Sequence, residues 1–312
     1  MPNLDNPTLS QTSNPRRRER LLKIATTASV LVALLLMLIK TIAWLKTGSV
    51  AMLGSLLDSV LDTLASTINL IFVRNALQPA DQEHRFGHGK AEPIGGMIQA
   101  IMIGGSAIFL IAESARRIIE PTIPTHTELG ISIMLISSVA VAALVLLQRY
   151  VIKHTNSMVI SADALHGFGD ILINLGVILA LFISSRYDAP LADPIIGILL
   201  AGILLKGAWS IASEAIHHLM DREFSNQERD QIRDIACRHA CVNNIHDLRT
   251  RRAGFSSFIQ FHLELDGNMT LSAAHAIADA VEQSIKAEFP DAEVFIHQDP
   301  LDMEPVNPLL RT

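Results

Sequence analysis

Long apolar runs separated by short polar breaks fill the chain from Leu21 to about Met220, after which charge returns. A helix crossing a hydrocarbon core needs about 20 mainly apolar residues. Six stretches qualify: Leu21–Lys46, Val50–Leu77, Ala91–Ile119, Leu129–Val151, Met158–Ser184 and Pro194–Leu219. The first is the cleanest, through Leu31-Val32-Ala33-Leu34-Leu35-Leu36-Met37-Leu38-Ile39. The second and fifth carry acids and a histidine, and either alone would suit a buried helix of a soluble all-α protein. Six such stretches in succession argue against that.

Beyond Asp221 the periodicity shortens. Asn226–Ala240 predicts a helix, and Asn244–Arg252 and Ser257–Leu265 predict strands around the turn Arg252-Ala253-Gly254. Leu271–Glu288 predicts a second helix with Ala274, Ile277, Ala278, Val281 and Ile285 on one face. Glu293–Gln298 predicts a third strand. The order αββαβ implies a sheet with helices packed on one face. The expected architecture is therefore a membrane all-α domain of six helices over residues 21–220 and an α+β domain over 221–300. Residues 1–20, rich in Pro, Asn, Ser, Thr and Arg, read as a disordered tail, and 301–312 as a second tail.

Composition agrees. Hydrophobic residues make up 49% and mean hydropathy is +0.34, while charged residues, at 18%, fall below the roughly 25% of soluble domains. A net charge of −6 argues against nucleic acid as a partner. The first apolar run is long, starts late and lacks a small-residue cleavage site, so no cleavable signal peptide is expected. Positive charge marks the cytoplasmic side of a membrane. Arg16, Arg17, Arg18, Arg20 and Lys23 precede the first span, with Arg74, Arg85 and Lys90 after the second and Arg149 and Lys153 after the fourth. The opposite connections hold Lys46, Arg116, Arg117 and Arg186. That bias puts both termini in the cytoplasm.

Ionisable residues inside a span cost at least about 2.5–3.5 kcal/mol on insertion scales, so they are functional candidates by default. Asp58 and Asp62 in the second span are four apart, hence on one helix face. They lie roughly 12–18 Å into a core about 30 Å thick. His166 and Asp170 repeat the spacing in the fifth span. Two such faces can close a four-coordinate site whose carboxylates and imidazole suit zinc, iron(II), cobalt or cadmium rather than copper(I). The alternatives are polar contacts between helices or a proton relay without metal. Asp163, one turn before His166, reads as a residue supporting the site or its approach. Asp81, His84 and His88 could converge on one ion if their connection is helical, or form a solvated polar loop. Cys237 and Cys241, one turn apart on the predicted helix, read more readily as half-buried packing residues than as metal ligands.

The pairs Asp58-x3-Asp62 and His166-x3-Asp170 resemble the transport site of the cation diffusion facilitator family. The likeness runs from the first span to Pro300. It is strongest at Phe86-Gly87-His88-Gly89-Lys90-Ala91-Glu92, His246-Asp247-Leu248-Arg249-Thr250-Arg251 and Ile296-His297-Gln298-Asp299-Pro300. The resemblance implies six membrane helices, a ferredoxin-like cytoplasmic domain, a homodimer embedded in the lipid of a bacterial inner membrane, and exchange of a divalent metal (zinc, iron(II) or cadmium) for protons. It implies a metal site at Asp81, His84 and His88. It further implies a pair of structural ions, zinc or iron(II), at His246, His262, His275, His297 and Asp299, which read alone would be scattered surface groups. It makes Lys90 and Asp221 a pair that couples the soluble and membrane domains, where sequence alone shows two charges. No organic cofactor is implied. A helical His-Glu-x-x-His and a Walker loop are both absent from the sequence, which argues against a membrane metalloprotease or an ATP-driven pump. A membrane-anchored metal sensor or scaffold, and a metal channel, remain as rivals.

Overall fold

The computed structural model describes residues 15–47, 50–119, 128–187 and 191–301. Six long helices come first: α1 (Pro15–Thr47), α2 (Val50–Ala76), α3 (Ala91–Ile119), α4 (Glu128–Thr155), α5 (Met158–Tyr187) and α6 (Ala192–Leu219). All six are long and apolar enough to cross a membrane. The chain divides into two compact units, one holding these helices to Ile216 and one running from His217 onward.

The first helix starts earlier than expected. Residues 15–20 belong to α1 and not to a disordered tail. Pro15 occupies the first helical position, where its fixed φ and missing N–H cost nothing. Glu19 and Lys23 then pair at 2.5 Å across one turn. The rest of that tail, residues 1–14, and the tail at 302–312 lie outside the described residues.

The polarity of the bundle is inverted relative to a soluble protein. Large apolar side chains point outward, with Leu38 at 56%, Ile101 at 65% and Trp209 at 77% exposure, whereas Asn69, Gln99 and Gln148 inside are each at 1%. An apolar surface of this extent needs hydrocarbon and not water against it. Small residues then let the helices approach closely, as membrane helix packing requires. A Cβ at Gly95 of α3 would sit 2.8 Å from Phe72 of α2 and 3.0 Å from Val159 of α5. At Gly169 of α5 it would meet Leu204 of α6 at 2.6 Å, and at Gly167 it would meet Val141 and Val145 of α4 at 3.1 Å. The two glycines bracketing Phe168 thus seat α5, the helix of His166 and Asp170, between two neighbours. Glu92, at the start of α3, fixes the other end of that helix by accepting the backbone N–H of Met158 at 2.9 Å.

The second unit holds α7 (Asn226–Ala236), β1 (Asn244–Ala253), β2 (Ser256–Leu265), α8 (Leu271–Glu288) and β3 (Ala292–Pro300). The order is αββαβ, as expected. β1 pairs antiparallel with β2, and β2 pairs parallel with β3 through the α8 crossover. Ile232 and Ile235 of α7 and Ile277, Val281 and Ile285 of α8 pack on Ile245, Ile259, Phe261 and Leu263 of the sheet. A capping box between Ser225 and Glu228 starts α7. That helix ends four residues before the expected Ala240, with Cys237 as its C-cap. Cys237 and Cys241 are consequently exposed on a turn, not half-buried on a helix.

Candidate metal centres

In the bundle, α2 and α5 bring Asp62, His166 and Asp170 together, each offering a ligand atom within 4.8 Å of the others. His166 Nε2 lies 2.9 Å from Asp62 Oδ1 and 3.8 Å from Asp170 Oδ2. Asp58, the fourth expected residue, sits one turn from Asp62 on α2, is exposed, and stands outside this trio. Lys40 of α1 acts electrostatically on Asp58 and Asp170, and its place inside the cleanest apolar run gives no sign of that role.

One turn from His166, Asp163 is buried in a cradle of uncharged donors. Ser29 Oγ donates to Oδ2 at 2.7 Å, Gln148 Nε2 to the same oxygen at 2.6 Å, and Asn69 Nδ2 to Oδ1 at 3.1 Å. Asn69 also donates to Gln99 Oε1 at 3.4 Å, so five helices share the network. Asp163 is therefore a junction between helices as well as a neighbour of the trio. Its partners are uncharged amides and a hydroxyl, which a search for ionisable groups passes over.

Asp81, His84 and His88 converge, but not on a helix. Residues 77–90 form successive turns. Asp81 Oδ1 accepts the backbone N–H of Glu83 at 2.9 Å and of His84 at 2.6 Å, closing a turn that brings both rings round. Asp81 then lies 3.4 Å from His84 Nδ1 and 3.3 Å from His88 Nε2. The His84 N–H bond leads in holding the Asp81 carboxyl below its ordinary value, so it stays an anionic acceptor. His88 Nδ1 donates to the Pro79 carbonyl at 3.2 Å, which leaves Nε2 as the lone-pair nitrogen.

In the second unit, sheet register aligns the remaining imidazoles. His246 pairs with His262 across β1 and β2, and His262 with His297 across β2 and β3. Three rings consequently stand in a row on one face, with centroids 5.0 and 4.6 Å apart, close to the spacing of adjacent strands. Asp299, two residues beyond His297 on that face, serves all three. It lies 2.7 Å from His262 Nδ1, 3.1 Å from His297 Nε2 and 3.3 Å from His246 Nε2. Partial burial pushes the Asp299 carboxyl up, but the His262 hydrogen bond and the three nearby imidazoles outweigh it and hold it below 3.8. Glu264, opposite Asp299 in register, takes His246 Nδ1 at 2.9 Å and was not foreseen. Its place on the polar face of β2 was the available signal. His275 stands apart on α8, exposed beside Asp279 at 3.5 Å. Asp221 pairs with Arg251 at 3.5 Å inside its own unit, whereas Lys90 belongs to the other.

Residues 26–220 match the cation efflux transmembrane domain, and residues 224–301 match the cytoplasmic domain of cation efflux proteins. The chain is 46% identical over 283 residues to the cation-efflux pump FieF of Shewanella oneidensis, covering 91% of this chain and 95% of that one. It is 41% identical over 288 residues to the cation-efflux pump FieF of Pectobacterium atrosepticum, covering 92% and 96%. Among solved structures it is similar to the metal-bound C-terminal domain of the CzcD transporter from Thermotoga maritima. That likeness has 31% identity and a TM-score of 0.25, and covers 25% of this chain and 93% of that chain.

Proposed function

The chain belongs to the cation efflux family, and on that premise we propose that it exports zinc or iron(II) from the cytoplasm across a bacterial inner membrane in exchange for protons. The observation that carries this reading is the trio formed by Asp62, His166 and Asp170 between two membrane-spanning helices. Zinc–ligand bonds of about 2.0–2.2 Å put neighbouring donors of a tetrahedron about 3.3–3.6 Å apart. The 2.9 and 3.8 Å separations around His166 Nε2 bracket that range, so small side-chain movements admit the ion. Asp58, one turn away, supplies the fourth ligand by turning inward.

The same geometry supports exchange with protons. An N···O separation of 2.9 Å between His166 Nε2 and Asp62 Oδ1 is a hydrogen bond, and needs a proton between the two atoms. Those are also the atoms that would ligate the cargo. Metal and proton therefore compete for one place, and binding one releases the other. Loading from the cytoplasm expels a proton. Reopening toward the far side lets protons reoccupy Nε2 and the carboxylates, which expels the metal. The inward proton gradient then drives export.

Asp81, His84 and His88 form a cytoplasmic capture site in this scheme. In the C-terminal domain, His246, His262, His297 and Asp299 would hold a resident ion, their donors being already directed at one another. Bound there, it would cross-link the three strands on the face offered to the second protomer of a homodimer, with Lys90 and Asp221 coupling that domain to the bundle. Proton release on zinc binding to the purified protein tests the shared-atom argument. Wild type should release at least one more proton than Asp62→Asn, and equal release would remove the basis for exchange.

A further inference from the structure

Among the buried polar groups, the cradle around Asp163 has the largest reach. Asp163 is 9% exposed and Ser29, Asn69, Gln99 and Gln148 are 1–2% exposed, so all five are sealed from solvent. A buried carboxylate is expensive unless it is fully hydrogen-bonded. Here the bonds come from α1, α2 and α4 onto α5, and Gln148 additionally donates to Ser29 at 3.0 Å. The strand of this network that matters for transport is Asn69–Asp163. It ties α2 to α5, the two helices that supply the trio, and it does so one to two helical turns from the trio.

We propose that Asp163, held by Asn69, is a positioning residue that fixes the separation of α2 and α5 and thereby sets ion-size selectivity at Asp62, His166 and Asp170. The proposal rests on the transport reading of that trio. A ligand set shared by two helices is only as discriminating as the distance between them is fixed, and ion sites need their donors held to within about 0.5 Å. A tight α2–α5 spacing favours zinc over the larger cadmium ion. Loosening it lets the donors separate and removes that preference.

Side-chain chemistry separates this role from one in which the Asp163 charge itself attracts the ion. In Asp163→Asn, Gln148 can turn its carbonyl oxygen toward the new amide and Ser29 can accept from it, since amides and hydroxyls both donate and accept. The helix junction is rebuilt without charge. In Asn69→Leu the shape is nearly kept, but the link to α2 is cut. In Gln148→Leu only the link to α4 is lost.

The experiment measures zinc and cadmium affinities of the purified full-length protein. The Asp62→Asn variant is subtracted to isolate the intramembrane site, and chromatographic monodispersity confirms folding. Asn69→Leu should shift the zinc-to-cadmium affinity ratio toward cadmium by about tenfold, the scale at which outer-shell partners act on metal sites. Asp163→Asn should stay within about twofold of wild type, and Gln148→Leu should fall between, given the spread expected of outer-shell effects. An unchanged ratio in folded Asn69→Leu overturns the proposal. So does Asp163→Asn behaving like Asp163→Ala, which would assign the effect to charge. If instead Asp62→Asn removes no ion relative to wild type, the transport reading itself fails.

Discussion

Replacing Asp62 by asparagine separates the electrostatic contribution of the site from its packing. Asparagine keeps the shape of the side chain, and its carbonyl oxygen can still accept a proton from His166 Nε2 across the 2.9 Å now seen. What disappears is one negative charge at bonding distance from the cargo. Two unit charges about 4 Å apart interact by about 4 kcal/mol at an effective dielectric of about 20. A divalent ion at closer range gains more, and desolvation of the carboxylate returns part of it. Retaining only about 2 kcal/mol of that difference corresponds to roughly 30-fold in affinity. The variant should therefore be monodisperse and folded, lose one zinc per protomer at concentrations that saturate wild type, and transport at background level. Calorimetric titration in detergent, paired with metal content by mass spectrometry, measures this. Binding within about threefold of wild type would mean that Asp62 is a packing and hydrogen-bonding residue only, since so small a change is below the charge contribution just derived.

Further consequences are open to simple tests. Gly169→Val places methyl groups where Leu204 already lies 2.6 Å from a Cβ position, so it should destabilise the bundle by about 1–3 kcal/mol and lower its melting temperature in detergent. Asp81→Asn should lower zinc occupancy of the full-length protein by one weakly held ion without altering the intramembrane site, as difference titrations against Asp62→Asn would register. Because the Asp299 carboxyl is held below its ordinary value of 3.8, its contribution to stability is present above that value and is lost only as pH falls through the depressed folded value. The stability gap between wild type and Asp299→Asn, followed by chemical denaturation with chelator present, should persist down to pH 5 and close only as pH falls below 3.8; a gap closing by about pH 5 would contradict the assigned direction.

The six spans were legible because hydrophobic length is a property of each segment alone, and the strands of the second domain because alternation within β2 is local. Asp62, His166 and Asp170 could be named for a related reason: charges in an apolar run declare themselves, and i, i+4 spacing fixes their face. What stayed hidden depends on pieces distant in sequence. The Asp163 cradle draws on Ser29, Asn69, Gln99 and Gln148, polar but uncharged residues whose cost appears only when helix packing shows them buried together. The spacing of Asp81, His84 and His88 suits a helix or a polar loop alike, whereas the Asp81 carboxylate organises turns through backbone N–H groups, which residue spacing cannot show. Cys237 through Ala240 are compatible with a helix by type, but α7 ends four residues before the expected Ala240 because the turn leading into β1 stops it. Glu264 needed the register of β2 against β3 before it could be seen opposite Asp299.

The central claim is that metal and protons trade places at Asp62 and His166, and net zinc movement driven by a proton gradient alone tests it most directly. Protein is reconstituted into liposomes with equal zinc on both sides and a proton gradient imposed across the membrane, and zinc is followed by a fluorescent indicator inside. Exchange at this site predicts net zinc movement opposite to the proton gradient, abolished by a protonophore and absent in Asp62→Asn and His166→Ala. Zinc that only equilibrates, at a rate indifferent to the proton gradient, would contradict it.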